Sequence, residues 1–163
     1  MTNFSHCPRC ALGLVQRAHS GRERLLCQGC GFVHYDNPLP VVAGIVETAA
    51  GVVLVRSHGW PEKMFGLVTG FLERGETPEE AVVREVREEV GLDAKVVSLV
   101  GVYPFTERNE VILAYALSAE GDVQLGDEIV EYRVVPKAKL RPWPFGTGHA
   151  VADWLAHSPL AGE

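Results

Sequence analysis

Apolar residues recur along this chain with two different periods. Residues 41–47 and 52–57 are almost continuously apolar, which predicts two strands joined by a turn over residues 48–51. A loop over residues 58–63 then leads to a short apolar stretch at 64–68. Residues 95–103 and 110–117 alternate as strands with a turn at 106–109, and 128–135 follows as another strand after a loop at 121–126. Between these runs the period becomes helical. Val82, Val83, Val86 and Val90 fall on one side of a segment with both ends written into it. Thr77 is placed to cap it, Pro78 suits the first helical position, and Glu80 completes a capping box. Gly91 stands just past the end, where a left-handed residue is usual. A last helix opens after Thr147 with the apolar stripe Val151, Trp154 and Leu155. Strands on both sides of one helix, with a second helix at the end, predict an α/β fold: a mixed sheet covered on both faces.

The polar side of the first helix carries the chemistry. Glu85, Glu88 and Glu89 stand at i, i+3 and i+4, close to the negative end of the helix dipole. Such a cluster repels itself. Arg84 points away from its centre on an ideal helix, so a divalent cation with a preference for oxygen ligands is the better partner. A solvated acidic face is the competing reading. Ahead of the helix, Gly66, Gly70 and Gly75 bracket a loop ending in Glu76, which can bring backbone carbonyls near the carboxylates.

Residues 70–92 resemble the Nudix box, G-x5-E-x7-R-E-U-x-E-E-x-G-U with U aliphatic. Gly70, Glu76, Arg84, Glu85, Val86, Glu88, Glu89, Gly91 and Leu92 fill every specified position. The resemblance implies an α/β/α sandwich over residues 37–163 and a hydrolase of nucleoside diphosphates linked to another moiety, dependent on Mg2+ or Mn2+. It implies Glu85 and Glu89 as principal metal ligands, and Glu88 as a further ligand or the base that activates water. The carbonyl of Gly70, or of Thr69, would join the metal shell, and Arg84 would hold the glutamates together with Glu76.

Composition narrows the setting. The chain has 163 residues, is 47% hydrophobic and 22% charged, and carries a net charge of −6. This is ordinary for a soluble globular protein and unlike a general nucleic-acid or membrane binder. Neither a leader peptide nor a run long enough to span a bilayer is evident, so a cytoplasmic protein is expected. All four cysteines, Cys7, Cys10, Cys27 and Cys30, form two CxxC pairs in the first thirty residues. That spacing predicts a zinc ribbon over residues 1–36, with a hairpin turning at Ser20–Gly21. Two disulfides or a redox pair are the alternatives. The ribbon is read as structural or dimer-forming, and a homodimer is expected. Its scattered arginines make a weak footprint for nucleic acid.

Downstream, Glu128 in an acidic stretch is a candidate additional ligand or base, with an edge-strand charge as the plain alternative. Trp143 and Phe145, in the quartet Pro142-Trp143-Pro144-Phe145, are candidates to clamp an aromatic base, with Tyr103 and Phe105 as further substrate contacts. A zinc ribbon, a Nudix box and this quartet together resemble the NADH pyrophosphatases. Here, however, the quartet lies about fifty residues past the box. Its usual flanking residues and the long N-terminal domain of those enzymes are missing. In those respects the chain looks more like the short zinc-ribbon Nudix proteins, some of which cleave FAD or ADP-ribose. The expected reaction is hydrolysis of a pyrophosphate bond in a small dinucleotide or nucleotide sugar, releasing two monophosphates. Processing of RNA 5′ ends and a non-catalytic nucleotide sensor are the alternatives.

Overall fold

In the computed structural model, residues 4–157 are described, and they divide into two compact units at Pro38–Leu39. The first is a small antiparallel sheet of β1 (Leu14–His19), β2 (Arg22–Cys27) and β3 (Val33–His34), in the order β1-β2-β3. Its hairpin turns through Ser20 and Gly21, both at positive φ (53° and 77°). That is the turn geometry whose twist matches paired strands.

The second unit is a six-stranded mixed sheet with two helices. Its strands are β4 (Leu39–Thr48), β5 (Gly51–Ser57), β6 (Val68–Phe71), β7 (Asp93–Phe105), β8 (Glu110–Glu120) and β9 (Ile129–Val135). The sheet runs β7-β8-β4-β5-β9, with β6 pairing β4, and only the β4–β8 pair is parallel. Helix α1 (Pro78–Val90) packs on one face and α2 (Gly148–His157) on the other.

Strand β4 explains why residues 41–46 read as an unbroken apolar run. Val42 and Val46 point into the core under α1, with Val82, Val86 and Val90. Val41, Ala43 and Ile45 point the opposite way, into the core under α2, with Val151 and Trp154. A strand buried on both faces has no polar side to show.

Two expectations shift. The short apolar stretch at 64–68 leads into a strand not assigned from the sequence, Val68–Phe71, while Gly66 makes an isolated bridge to Val55. Gly70 therefore belongs to a strand and not to the loop its glycine neighbours suggested. In addition, β4 starts at Leu39, two residues before the strand predicted at 41–47, with Leu39 and Pro40 pairing with Glu110 and Val111. Among the described residues no helix is long and apolar enough to cross a membrane.

Candidate active site

The caps of α1 form as their residues require. Thr77 Oγ1 accepts from the Glu80 N–H (3.2 Å), Glu80 accepts from the Thr77 N–H (2.8 Å), and Gly91 takes a left-handed φ of 68°. This fixes the rotation of the helix, turning Ala81, Val82, Val86 and Val90 into the core. Val83, expected on the same side, is half-buried at its margin. The rotation also carries Glu89 inward, where it is the buried charged residue of the described core.

Strand β6 passes beneath the helix and delivers Thr69 and Gly70 to the carboxylates. A Cβ on Gly70 would collide with the Glu85 carboxylate, so glycine here makes room for that side chain against the backbone. On the opposite side, the 121–126 loop docks on the C-terminal end of α1. The Gln124 N–H donates to Val90 O and the Gly126 N–H to Glu89 O (2.9 and 3.0 Å). A Cβ at Gly126 would strike the Glu88 carbonyl. That docking brings Asp127 and Glu128 to the rim.

The resulting cleft, about 500 Å³, is lined by Val41, Thr69, Gly70, Phe71, Glu73, Arg84, Glu85, Glu88, Glu89, Arg108, Glu110, Asp127 and Glu128. The candidate residues of the box and Glu128 thus share one cavity. Sequence reasoning did not single out Glu73, Arg108 and Glu110 for the cleft. Glu73 lies inside the box at a position without a specified type, and the other two come from the β7–β8 turn, whose sequence carries no sign of its destination.

Arg84 sits at the centre of the cluster, contrary to its direction on an ideal helix. Its long side chain folds back along the helix, and the guanidinium donates to Glu76 (3.1 and 2.8 Å), Glu85 (2.6 Å), Glu88 (3.0 Å) and the Phe71 carbonyl (3.1 Å). A guanidinium has five N–H groups, and these five bonds use them all. The Arg84 hydrogen bonds hold the Glu76 carboxyl below the usual carboxylate range.

Glu85 and Glu89 are pushed the other way. Burial raises Glu85, against the pull of Arg84. Burial, followed by the charges of Glu85 and Glu128, pushes Glu89 up to about 8. Glu89 Oε2 is buried without a hydrogen-bond partner. A buried carboxylate oxygen with nothing to accept from, facing other carboxylates, is what a divalent cation with oxygen preference would satisfy. The donor set therefore fits the metal that the carboxylate cluster implies.

A second cavity, about 170 Å³, shares Val41, Thr69, Arg108 and Glu110 with the acidic cleft and is otherwise lined largely by aromatic and apolar side chains. Phe105, Trp143 and Phe145 reach it, together with Trp60 and Phe65. Gly66 leaves space for the Trp60 ring, and Gly146 faces Phe105. Tyr103 is placed elsewhere: its hydroxyl donates to Asp153 (2.8 Å), and it packs in the core under α2. The alternation along β7 explains this, since Tyr103 and Phe105 share a face but only Phe105 stands at the strand end next to the cavity.

In the N-terminal unit the four cysteine sulfurs converge, all within 4.8 Å of one another and none joined in a disulfide. Each pair sits in a tight knuckle: Ala11 N–H donates to Cys7 O (2.9 Å) and Gly31 N–H to Cys27 O (3.0 Å). A backbone hydrogen bond from Cys30 lowers the Cys27 thiol to about 6. Four sulfurs around one point, one of them readily ionised, can hold a metal ion.

Comparison with known proteins agrees with this geometry. The profile described as NUDIX domain matches residues 38–154. The ADP-ribose pyrophosphatase of Methanocaldococcus jannaschii is 40% identical over 127 residues, covering 74% of this chain and 75% of that protein. The NAD-capped RNA hydrolase NudC of Mycobacterium bovis is 32% identical over 123 residues, but the chain spans only 38% of its length. A crystal structure of a NUDIX hydrolase from Nitrosomonas europaea superposes with a TM-score of 0.75 at 26% identity, covering 83% of this chain and 80% of that one. With an acidic cleft built from the box and a matching profile over most of its length, the chain belongs to the Nudix hydrolase family.

Proposed function

We propose that this enzyme hydrolyses the pyrophosphate bond of a small nucleotide conjugate of the ADP-ribose, NADH or FAD type, releasing two monophosphates. The observation that carries the reading is the shared wall of the two cavities. An aromatic chamber suited to a base opens directly beside a carboxylate cleft suited to a metal-bound pyrophosphate. The archaeal relative named for ADP-ribose, covered over most of its length, points to the same substrate class.

Glu85 and Glu89, with the Thr69 or Gly70 carbonyl, would hold Mg2+ or Mn2+, a reading supported by their sharing one cleft with Glu128. When bound, such ions neutralise phosphate charge and lower the pKa of a coordinated water. Glu88, with its side chain 59% exposed, is the carboxylate best placed to take a proton from an incoming water. Arg84 positions Glu85 and Glu88 and ties them to Glu76 and to the Phe71 carbonyl. Trp143, Phe145 and Phe105, with Trp60, would enclose the base. The cysteine cluster would hold Zn2+ in a structural role, which together with its unpaired thiols favours a cytoplasmic setting.

The test is Mg2+-dependent hydrolysis of ADP-ribose, NADH, NAD and FAD side by side, with NAD-capped RNA included and Glu85→Gln as the blank. Cleavage of at least one small conjugate is expected, with turnover down roughly a thousandfold in the variant. Cleavage of capped RNA alone would replace the small-molecule reading. An unimpaired Glu85→Gln would overturn the ligand assignment.

A further inference from the structure

The acidic cleft has a charge problem on its substrate side. Its described lining holds seven carboxylates and two cations, Arg84 and Arg108. Arg84 has no N–H left, because all five are committed to Glu76, Glu85, Glu88 and the Phe71 carbonyl. Any cationic hydrogen bond from these lining residues to a phosphate must therefore come from Arg108.

Arg108 is also in the right place. It is one of four residues common to the acidic cleft and the aromatic chamber. Its guanidinium carbon stands 5.7 Å from the Phe105 ring centroid, a weak stacking contact that leaves its N–H groups available. It closes a short 3-10 turn, Thr106–Arg108, at the end of β7. That turn is held at its base: Asn109 adopts a left-handed φ of 54°, its N–H donates to Thr106 O (3.2 Å), and its carbonyl accepts from the Leu39 N–H (2.9 Å). The side chain is exposed but its backbone is anchored.

A nucleotide with its base in the aromatic chamber and its pyrophosphate among the carboxylates must pass its 5′-phosphate across this seam. We propose that Arg108 is the phosphate clamp on the nucleoside side, binding the phosphate attached to the base-bearing half both before cleavage and in the monophosphate product. This rests on the reading of the cleft as a nucleotide pyrophosphatase site. Guanidinium and phosphate match as a two-pronged, charge-assisted pair, and such a bond to a charged group is worth about 10- to 100-fold in affinity. Because the contact exists in substrate and product alike, it acts as uniform binding and should show in KM more than in kcat.

The experiment compares wild type, Arg108→Ala and Arg108→Lys, titrated calorimetrically with AMP and, separately, with adenosine in Mg2+ buffer, with KM and kcat measured on the preferred conjugate. Expected is a 10- to 100-fold loss of AMP affinity in the alanine variant, with adenosine bound as by wild type. Lysine should recover part of the loss, because it keeps the charge without the fork. KM should rise by more than kcat falls. Unchanged AMP binding in an active enzyme would overturn the clamp while leaving the function standing. Equal losses for AMP and adenosine would also overturn it, assigning Arg108 instead to support of Phe105. A wild-type protein that neither binds AMP nor cleaves any conjugate would sink the underlying reading, and the clamp with it.

Discussion

Glu89→Gln should make the metal-free protein more stable at alkaline pH while destroying its activity. Glu89 is the buried acid of the described core, one of its oxygens has no partner, and its carboxyl is pushed from 4.5 up to about 8, first by burial and then by Glu85 and Glu128. In the unfolded chain the same group ionises near its ordinary value. The folded state therefore holds a proton that the unfolded state releases, and stability falls as pH rises between the two values. The contribution is fully present below about pH 4.5 and gone above about pH 8. Across that window it amounts to roughly 3–5 kcal/mol, at about 1.4 kcal/mol per pH unit. Glutamine keeps the shape, adds an N–H to offer Glu85 or Glu128, and carries no charge to desolvate. For a chain of this size, the variant should melt on the order of 10 °C higher at pH 8.5 and nearly level with wild type at pH 5. The assay is thermal unfolding followed by circular dichroism in Mg2+-free buffer. Strong chelators are left out so that the cysteine cluster is undisturbed. Adding Mg2+ or Mn2+ at pH 8.5 should raise the wild-type midpoint, since a ligand of the folded state stabilises it by mass action. The variant should respond far less. A Glu89→Gln protein that melts below wild type at pH 8.5, or a difference that does not change with pH, would refute the reasoning.

Other consequences follow from the same contacts. Gly70→Ala should remove most metal-dependent turnover, because the new Cβ collides with the Glu85 carboxylate; activity with added Mg2+ or Mn2+ checks this, and full turnover would show that Glu85 need not lie there. Arg84→Lys keeps the charge but cannot make five bonds in a plane. It should cut turnover by roughly 10- to 100-fold, as losses around metal ligands generally do, and should lower the midpoint slightly. Thr77→Ala removes one side of the capping box and should cost about 1 kcal/mol in denaturant unfolding without changing KM. Cys27→Ser should abolish retention of one zinc per chain in elemental analysis, with loss of structure in the N-terminal unit.

What could be read from the sequence, and what could not, divides along a physical line. Helix α1 was legible because its caps and its glycine act locally: Thr77, Pro78, Glu80 and Gly91 each do what a neighbour three or four residues away requires. The strand nature of β4 was legible for the same reason, since its apolar run and the turn that follows it are local signals. The direction of Arg84 was not legible from helical spacing, although the family resemblance implied its tie to Glu76 and the glutamates. A straight helical projection ignores a side chain long enough to fold back and find Glu76 eight positions earlier. Gly70 read as a loop glycine because what it accommodates, the Glu85 carboxylate, approaches from another element. Arg108 and Glu110 carried no local signal at all. Their place in the cleft follows from the pairing of β4 with β8 on one side and β6 on the other, which puts the β7–β8 turn and the Thr69–Gly70 stretch at the same end of β4.

The division of labour between the two arginines follows from the same topology. A helix that gathers carboxylates needs a cation to be stable without its metal, and Arg84 supplies it from within the helix, at the cost of every donor it has. The helix's other guanidinium, Arg87, is exposed and does not line the cleft. On the proposal above, the cation that meets the substrate therefore comes from another element, the far end of the β7–β8 hairpin, which brings Arg108 to the cleft. On this argument, moving the 106–109 turn would change which conjugate is cleaved and leave the metal requirement as it was. Parallel measurement of KM for several conjugates and of the Mg2+ dependence in a turn-exchanged variant separates the two, and a loss of metal dependence there would contradict it.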